Sequence, residues 1–171
     1  PEDNLMRQLI HPYIAGAEFH IKHSEKAIEY FAQLGDVQSM LFCVGRSGEK
    51  LSIIDALEFV CEYAPNSKFI EETLQTYIRG IEPLGEFYWE DELEKTPELD
   101  KLYNLSLKMA RSGMSNNPAM WYYTAAFLED LYGNTSSASR LLRLAEKSKS
   151  TEYIKESIKI FRIYLDAKLL P

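Results

Sequence analysis

The sequence predicts an all-α protein built from short antiparallel helical hairpins, on three observations. Apolar residues recur at helical spacing along most of the chain. No period-two run bounded by turn residues reads as a strand, and no Asn-Gly or Asp-Gly pair reads as a hairpin turn. Prolines, glycines and capping residues fall at intervals of helix length and cut the chain into helix-sized pieces. Helices joined by such short connections must pack side by side, as a bundle or as a stack.

The expected helices span 7–22, 24–34, 36–45, 50–63, 67–82, 98–112, 117–132, 135–148 and 151–169. The first contains Pro12, which belongs at a helix start, so the helix is expected to begin near it. Gly35-Asp36 closes the second, and Gly45-Arg46-Ser47-Gly48 closes the third. Ala64-Pro65-Asn66-Ser67 stops the fourth and offers Ser67 as the cap of the fifth. Pro83 and Gly85 end the fifth. Thr96-Pro97-Glu98 supplies a cap, a proline at the first helical position and an acid in the first turn of the sixth. Asn117-Pro118 repeats that arrangement for the seventh, and Tyr132-Gly133-Asn134 closes it. Ala138, Leu141, Leu142 and Ala145 give the eighth its apolar face. Ile154, Ile158, Phe161, Leu165 and Leu169 form one stripe on the ninth, with Lys155, Lys159 and Arg162 away from it. The expected organisation is one domain over 1–171, with helices at 1–82, an acidic-aromatic insert at 83–97 and helices at 98–171.

The 171 residues are 46% hydrophobic and 26% charged, which excludes collagen-like, disordered and disulfide-scaffold classes. No apolar run approaches the ~18–20 residues of a membrane-spanning helix. Cys43 and Cys61 sit in apolar surroundings and read first as two buried free thiols, the alternative being a disulfide between neighbouring helices, which needs an oxidising compartment and suitable geometry. The chain opens on Pro1 and closes on Lys168-Leu169-Leu170-Pro171, which reads as a piece processed or excised from a longer one. Net charge is -7. Residues 1–81 carry -5, residues 82–100 carry -7 and residues 101–171 carry +5. The basic C-terminal part is too mildly charged, and too poor in recognition motifs, to imply nucleic acid.

Residues 117–148 resemble a tetratricopeptide repeat. Within Asn117-Pro118-Ala119-Met120-Trp121-Tyr122-Tyr123-Thr124-Ala125-Ala126, Trp121 fits the family's large residue in the first helix and Ala125 the small residue one turn on. Gly133 fits the turn, and Ala138 the small residue of the second helix, one residue late. Glu25-Lys26-Ala27-Ile28-Glu29-Tyr30-Phe31, followed by Gly35-Asp36, resembles the second helix of such a repeat or of the related Sel1-like type. The likeness covers about a third of the chain and implies a short right-handed solenoid that binds a protein or peptide partner in its groove. The family's first helix lines the concave side. Carried over from Trp121, this implies that Tyr122, Ala126, Glu129 and Asp130 face the groove. The arrangement is also similar to one end of long bacterial cell-envelope proteins containing these repeats. That implies an envelope or periplasmic setting and no particular activity.

Motifs for chemistry are missing. There is no phosphate-binding glycine loop, dinucleotide fingerprint, His-Glu-x-x-His, Gly-x-Ser-x-Gly or Cys-x-x-Cys, so no cofactor or metal is expected. His20 and His23 share a helical face, but a structural metal site wants four ligands, and both read as polar residues at a solvated helix end. The acidic stretch threads Phe87, Tyr88 and Trp89 among Glu82, Glu86, Glu90, Asp91, Glu92, Glu94, Glu98 and Asp100. It reads first as a solvated loop, since like-charge blocks are usually solvated. A docking element anchored by Phe87, Tyr88, Trp89, Glu90 and Asp91 is the next reading, because aromatics anchor interfaces. A calcium site lacks the expected spacing and central glycine. A carboxylate pair for glycoside cleavage requires only proximity, which any acidic stretch supplies by chance. The functional expectation is a non-catalytic binding or scaffold module. Its alternatives are a carbohydrate-active or metal-dependent enzyme domain using carboxylates near 86–94, and a structural spacer in a longer repeat protein.

Overall fold

The computed structural model describes Phe31, Gly35, Asp36, residues 52–87 and residues 96–170, with backbone alone at 82–87. Among them are six helices and no strand: α1 (Ile53–Tyr63), α2 (Lys68–Phe87), α3 (Pro97–Ser112), α4 (Pro118–Leu131), α5 (Thr135–Glu146) and α6 (Glu152–Lys168). The described residues are all-α, as the spacing predicts. None of these helices is long and apolar enough to cross a membrane. The expected helices at 7–22 and 36–45, most of that at 24–34, His20, His23 and Cys43 lie outside the described residues. Contacts divide the chain into two compact units, Pro1–Ile70 and Glu71–Pro171, with the boundary inside the first turn of α2.

In the first unit, the Asp36 N–H donates to the Phe31 carbonyl at 2.9 Å around Gly35, the 6→1 bond that ends a helix at a left-handed residue. α1 starts in a capping box. The Asp55 N–H donates to Ser52 Oγ at 3.1 Å, and the Ser52 N–H donates to the Asp55 carboxylate at 3.3 Å. Ile54, Leu57, Val60 and Cys61 make its buried face. It stops before Pro65, where the Phe69 N–H donates to Ser67 Oγ at 3.3 Å and the next helix begins.

α2 runs to Phe87, five residues beyond the end expected at 82, so the first part of the expected insert is helical. Pro83 withholds a single N–H. The roughly four turns already formed ahead of it spare the helix a new nucleus. Residues 88–95, with Tyr88, Trp89, Glu90 and Asp91, lie outside the described residues.

In the second unit, α3 packs on α4, α4 on α5 and α5 on α6, while α4 also reaches α6. α3 opens as expected: Thr96 Oγ1 accepts from the Leu99 N–H at 3.2 Å, with Pro97 next and Glu98 and Asp100 in the first turn. α4 is buried nearly all round, through Ala119, Met120, Trp121, Thr124, Ala125, Ala126, Leu128 and Asp130. Its buried hydroxyl at Thr124 donates back to the Met120 carbonyl at 3.0 Å. Asn117 takes the cap position but makes no capping bond, and its buried amide atoms have no hydrogen-bond partner. The backbone supplies the cap instead. Ala119 N–H donates to the Lys149 carbonyl at 3.2 Å, drawing the α5–α6 connection onto the start of α4.

Gly133 (φ +76°) ends α4 with both bonds of the Schellman motif, Asn134 N–H to Glu129 O at 2.8 Å and Gly133 N–H to Asp130 O at 3.0 Å. A Cβ there would meet nothing within 4 Å, so the backbone alone sets the cost of a side chain. Gly133→Ala is expected to lower stability by about 1 kcal/mol in urea unfolding, with Gly133→Asn recovering part of it.

α6 starts on Thr151, whose Oγ1 accepts from the Ile154 N–H at 3.5 Å. Ile154, Ile158, Phe161 and Leu165 are buried as the spacing predicts, each contributing roughly 1.5–3 kcal/mol. Leu169 is a correction to the expected stripe: it is the C-cap of α6 and is 48% exposed. Arg162, beside the stripe, ties α6 to α5 by donating to Glu146 at 2.8 Å, to Ser139 Oγ at 2.8 Å and to the Ser139 carbonyl at 3.4 Å.

Candidate functional site

Tyr122, Ala126, Glu129 and Asp130 follow one another at i, i+4, i+7 and i+8, so α4 carries them on one face. Their environments differ. Tyr122 is half-buried. Ala126 is fully buried. Glu129 is half-buried and accepts a 2.7 Å hydrogen bond from the Tyr103 hydroxyl of α3. Asp130 is 8% exposed, and its Oδ1 accepts from Lys168 Nζ and from Thr135 Oγ1, each at 3.0 Å. Of the four, Tyr122 and Glu129 therefore present the accessible chemistry. Asp130 joins the end of α4, the first residue of α5 and the last turn of α6.

Tyr103 and Tyr132 interact with Glu129 of this face, and Tyr77 of α2 interacts with Tyr132. Burial, then the hydrogen bond and charge of Glu129, push Tyr103 up to about 12. Burial, then the charges of Asp100, Tyr77 and Glu129, push Tyr132 up to about 12. Burial and then Glu98 raise Tyr77. α2, α3 and the end of α4 thus bring neutral hydroxyls and carboxylates into mutual electrostatic reach. Burial opposes the charge of Lys168, but its hydrogen bond and attraction to Asp130, aided by Tyr164, outweigh that and raise it. These shifts all lead away from neutral pH, where the three hydroxyls stay protonated and Lys168 stays charged. Among the described residues, no three His, Cys, Asp or Glu side chains are grouped to hold a metal ion.

Sequence reasoning did not find Tyr103, Tyr77 or Lys168. The hydroxyl of Tyr103 meets a carboxylate 26 positions away, and Lys168 meets one 38 positions away. No local pattern marks either pair. From the expected docking element, Phe87 closes α2, while Tyr88, Trp89, Glu90 and Asp91 lie outside the described residues. Cys61 is buried. No protein-family model matches the chain, and no curated protein or solved structure matches it significantly.

Proposed function

We propose that the chain is a non-catalytic scaffold module of stacked helical hairpins, similar to tetratricopeptide repeats, that holds a protein or peptide segment along the face of α4. The packing order in the second unit carries this reading: each of α3–α6 packs on its chain neighbour, and α4 reaches past α5 to α6. A right-handed stack of hairpins needs that order, because the first helix of one pair must meet the first helix of the next. In this reading α4 and α5 form one pair and α6 opens another.

Tyr122 then supplies an aromatic contact, Ala126 the floor, and Glu129 with Tyr103 a polar edge that accepts from backbone amides or basic side chains. Asp130 holds the ends of the helices in place. Phe87, Tyr88, Trp89, Glu90 and Asp91 enter the proposal as a second docking element on the grounds of their sequence alone.

Selection from a displayed peptide library gives the probe. Tyr122→Ala is expected to weaken the selected peptides at least about tenfold, with melting temperature lowered by no more than about 3 °C. A steep drop in melting temperature would identify Tyr122 as a core residue. Unchanged affinity would remove the α4 face from the binding surface.

A further inference from the structure

Helix α5 buries Ala138, Ser139, Leu142 and Ala145 and exposes Arg140, Arg143, Leu144 and, at its end, Lys147. At about 100° per residue, the exposed four share an arc of about 100° on the side away from the core. From Arg140 to Lys147 they run about 10 Å along the axis. The stripe is not neutralised. Among the described residues, none of Arg140, Arg143 and Lys147 forms an ion pair, and Arg140 donates to the Ser137 hydroxyl at 2.9 Å. The one acid of α5, Glu146, lies on its flank and accepts from Arg162 of α6 at 2.8 Å. The cations of α6 are the contrast: Lys155 meets Glu152 at 3.0 Å, Lys159 meets Glu156 at 2.6 Å and Lys168 meets Asp130 at 3.0 Å. Arg111, exposed in the last turn of α3, adds to the stripe, since its charge and that of Arg140 both reach the Tyr103 hydroxyl.

We propose that the outer face of α5 is a docking surface for a short acidic segment of a partner protein, one with an apolar residue among its carboxylates. Arg140 and Arg143 each offer a planar fork that takes a carboxylate through two parallel hydrogen bonds. Lys147 adds a third positive charge one turn beyond Arg143. Leu144, 44% exposed, lies among the three and supplies the apolar contact. The extent of the stripe selects the partner class. A nucleic acid or an anionic membrane carries negative charge well beyond 10 Å, and would meet the rest of a chain whose net charge is -7. A segment of a few residues covers the stripe alone. This surface is separate from the α4 face and does not depend on the binding role proposed there.

The probe is a synthetic Glu-Glu-Leu-Glu-Glu peptide blocked at both ends, titrated into the full chain and followed by amide chemical shifts. Saturable shifts concentrated on residues 140–147 are expected, with a dissociation constant of about 0.1–1 mM at low salt. The affinity is expected to fall at least about fivefold when salt is raised to about 0.2 M. Arg143→Glu is expected to weaken binding at least about tenfold, with an unchanged far-UV circular dichroism spectrum because the side chain is exposed. Lys147→Glu is expected to act in the same direction. Lys155→Glu makes the same change in net charge on α6 and is expected to alter the affinity by less than about twofold. Replacing the four glutamates of the peptide by glutamine is expected to abolish binding. Absence of saturable shifts, or shifts centred outside α5, would overturn the proposal. An equal loss in Lys155→Glu would assign the binding to net charge and overturn it too. Co-sedimentation with phosphatidylserine vesicles that Arg143→Glu abolishes, without saturable peptide binding, would give the face to a membrane instead.

Discussion

Trp121→Ala is expected to destabilise the second unit by about 3–5 kcal/mol, the largest effect of any single truncation considered for this chain. Trp121 is fully buried in a helix whose neighbouring buried positions, Ala125 and Leu128, are already fully enclosed. Removing the indole empties a volume that α3 and α5 cannot collapse into without separating from α4 elsewhere. The indole N–H also donates to Ser115 Oγ at 3.2 Å, which fixes the turn between α3 and α4. Trp121→Phe keeps most of the packing and loses that bond, so it is expected to cost about 1–2 kcal/mol. Thermal melting followed by circular dichroism reads both, with a midpoint drop on the order of 10 °C for the alanine variant. An alanine variant that melts within about 3 °C of the parent would show that α4 is not the centre of the unit.

Ala138→Leu is expected to cost about 3 kcal/mol for the opposite reason. Ala138 is fully buried in the first turn of α5, on the helix that makes the most extensive contact with α4. Small residues at Ala125, Ala138 and Ala145 allow these two helices to approach closely, and three added carbons cannot enter without forcing them apart. Urea unfolding is the measurement. Ala138→Gly is expected to cost less, about 1 kcal/mol, because it alters helix propensity and leaves the spacing intact. If leucine were tolerated as well as glycine, the close approach would not depend on this position.

Most of the described secondary structure is legible from local chemistry. Thr96 caps a helix, Pro97 and Pro118 each occupy a first turn, and Gly35 and Gly133 each carry a left-handed turn, while Ser52 and Thr151 cap helices at positions expected to lie inside them. Such signals act within a few residues and therefore survive in a one-dimensional reading. Three local expectations differ from the structure. Pro83 lies inside α2, because a helix already propagating tolerates one lost bond. Asn117 leaves its side chain unused, because a carbonyl from the α5–α6 connection takes an N–H of the first turn. Leu169 continues the spacing of the α6 stripe beyond the end of the helix that gave that spacing meaning.

The candidate face was chosen by the resemblance to a tetratricopeptide repeat, carried over from Trp121. Spacing puts Tyr122, Ala126, Glu129 and Asp130 on one face, but it carries no information about what lies opposite. Whether Asp130 is a solvated acid or a buried acceptor depends on Lys168, and the state of Glu129 depends on Tyr103. Those partners are brought in by packing, which obeys volumes and not intervals in the chain.

The bond from the Ala119 N–H to the Lys149 carbonyl carries a consequence for how this part of the chain comes apart. A helix start and a loop that are distant in sequence share a donor and an acceptor, so neither frays without exposing the other. Trp121 lies half a turn further along the same helix and is anchored to the loop that precedes it. The α3–α4 turn, the start of α4 and the α5–α6 connection therefore open together as one cooperative unit. Local opening at this edge of the second unit therefore costs about 1 kcal/mol more than it would without the shared bond.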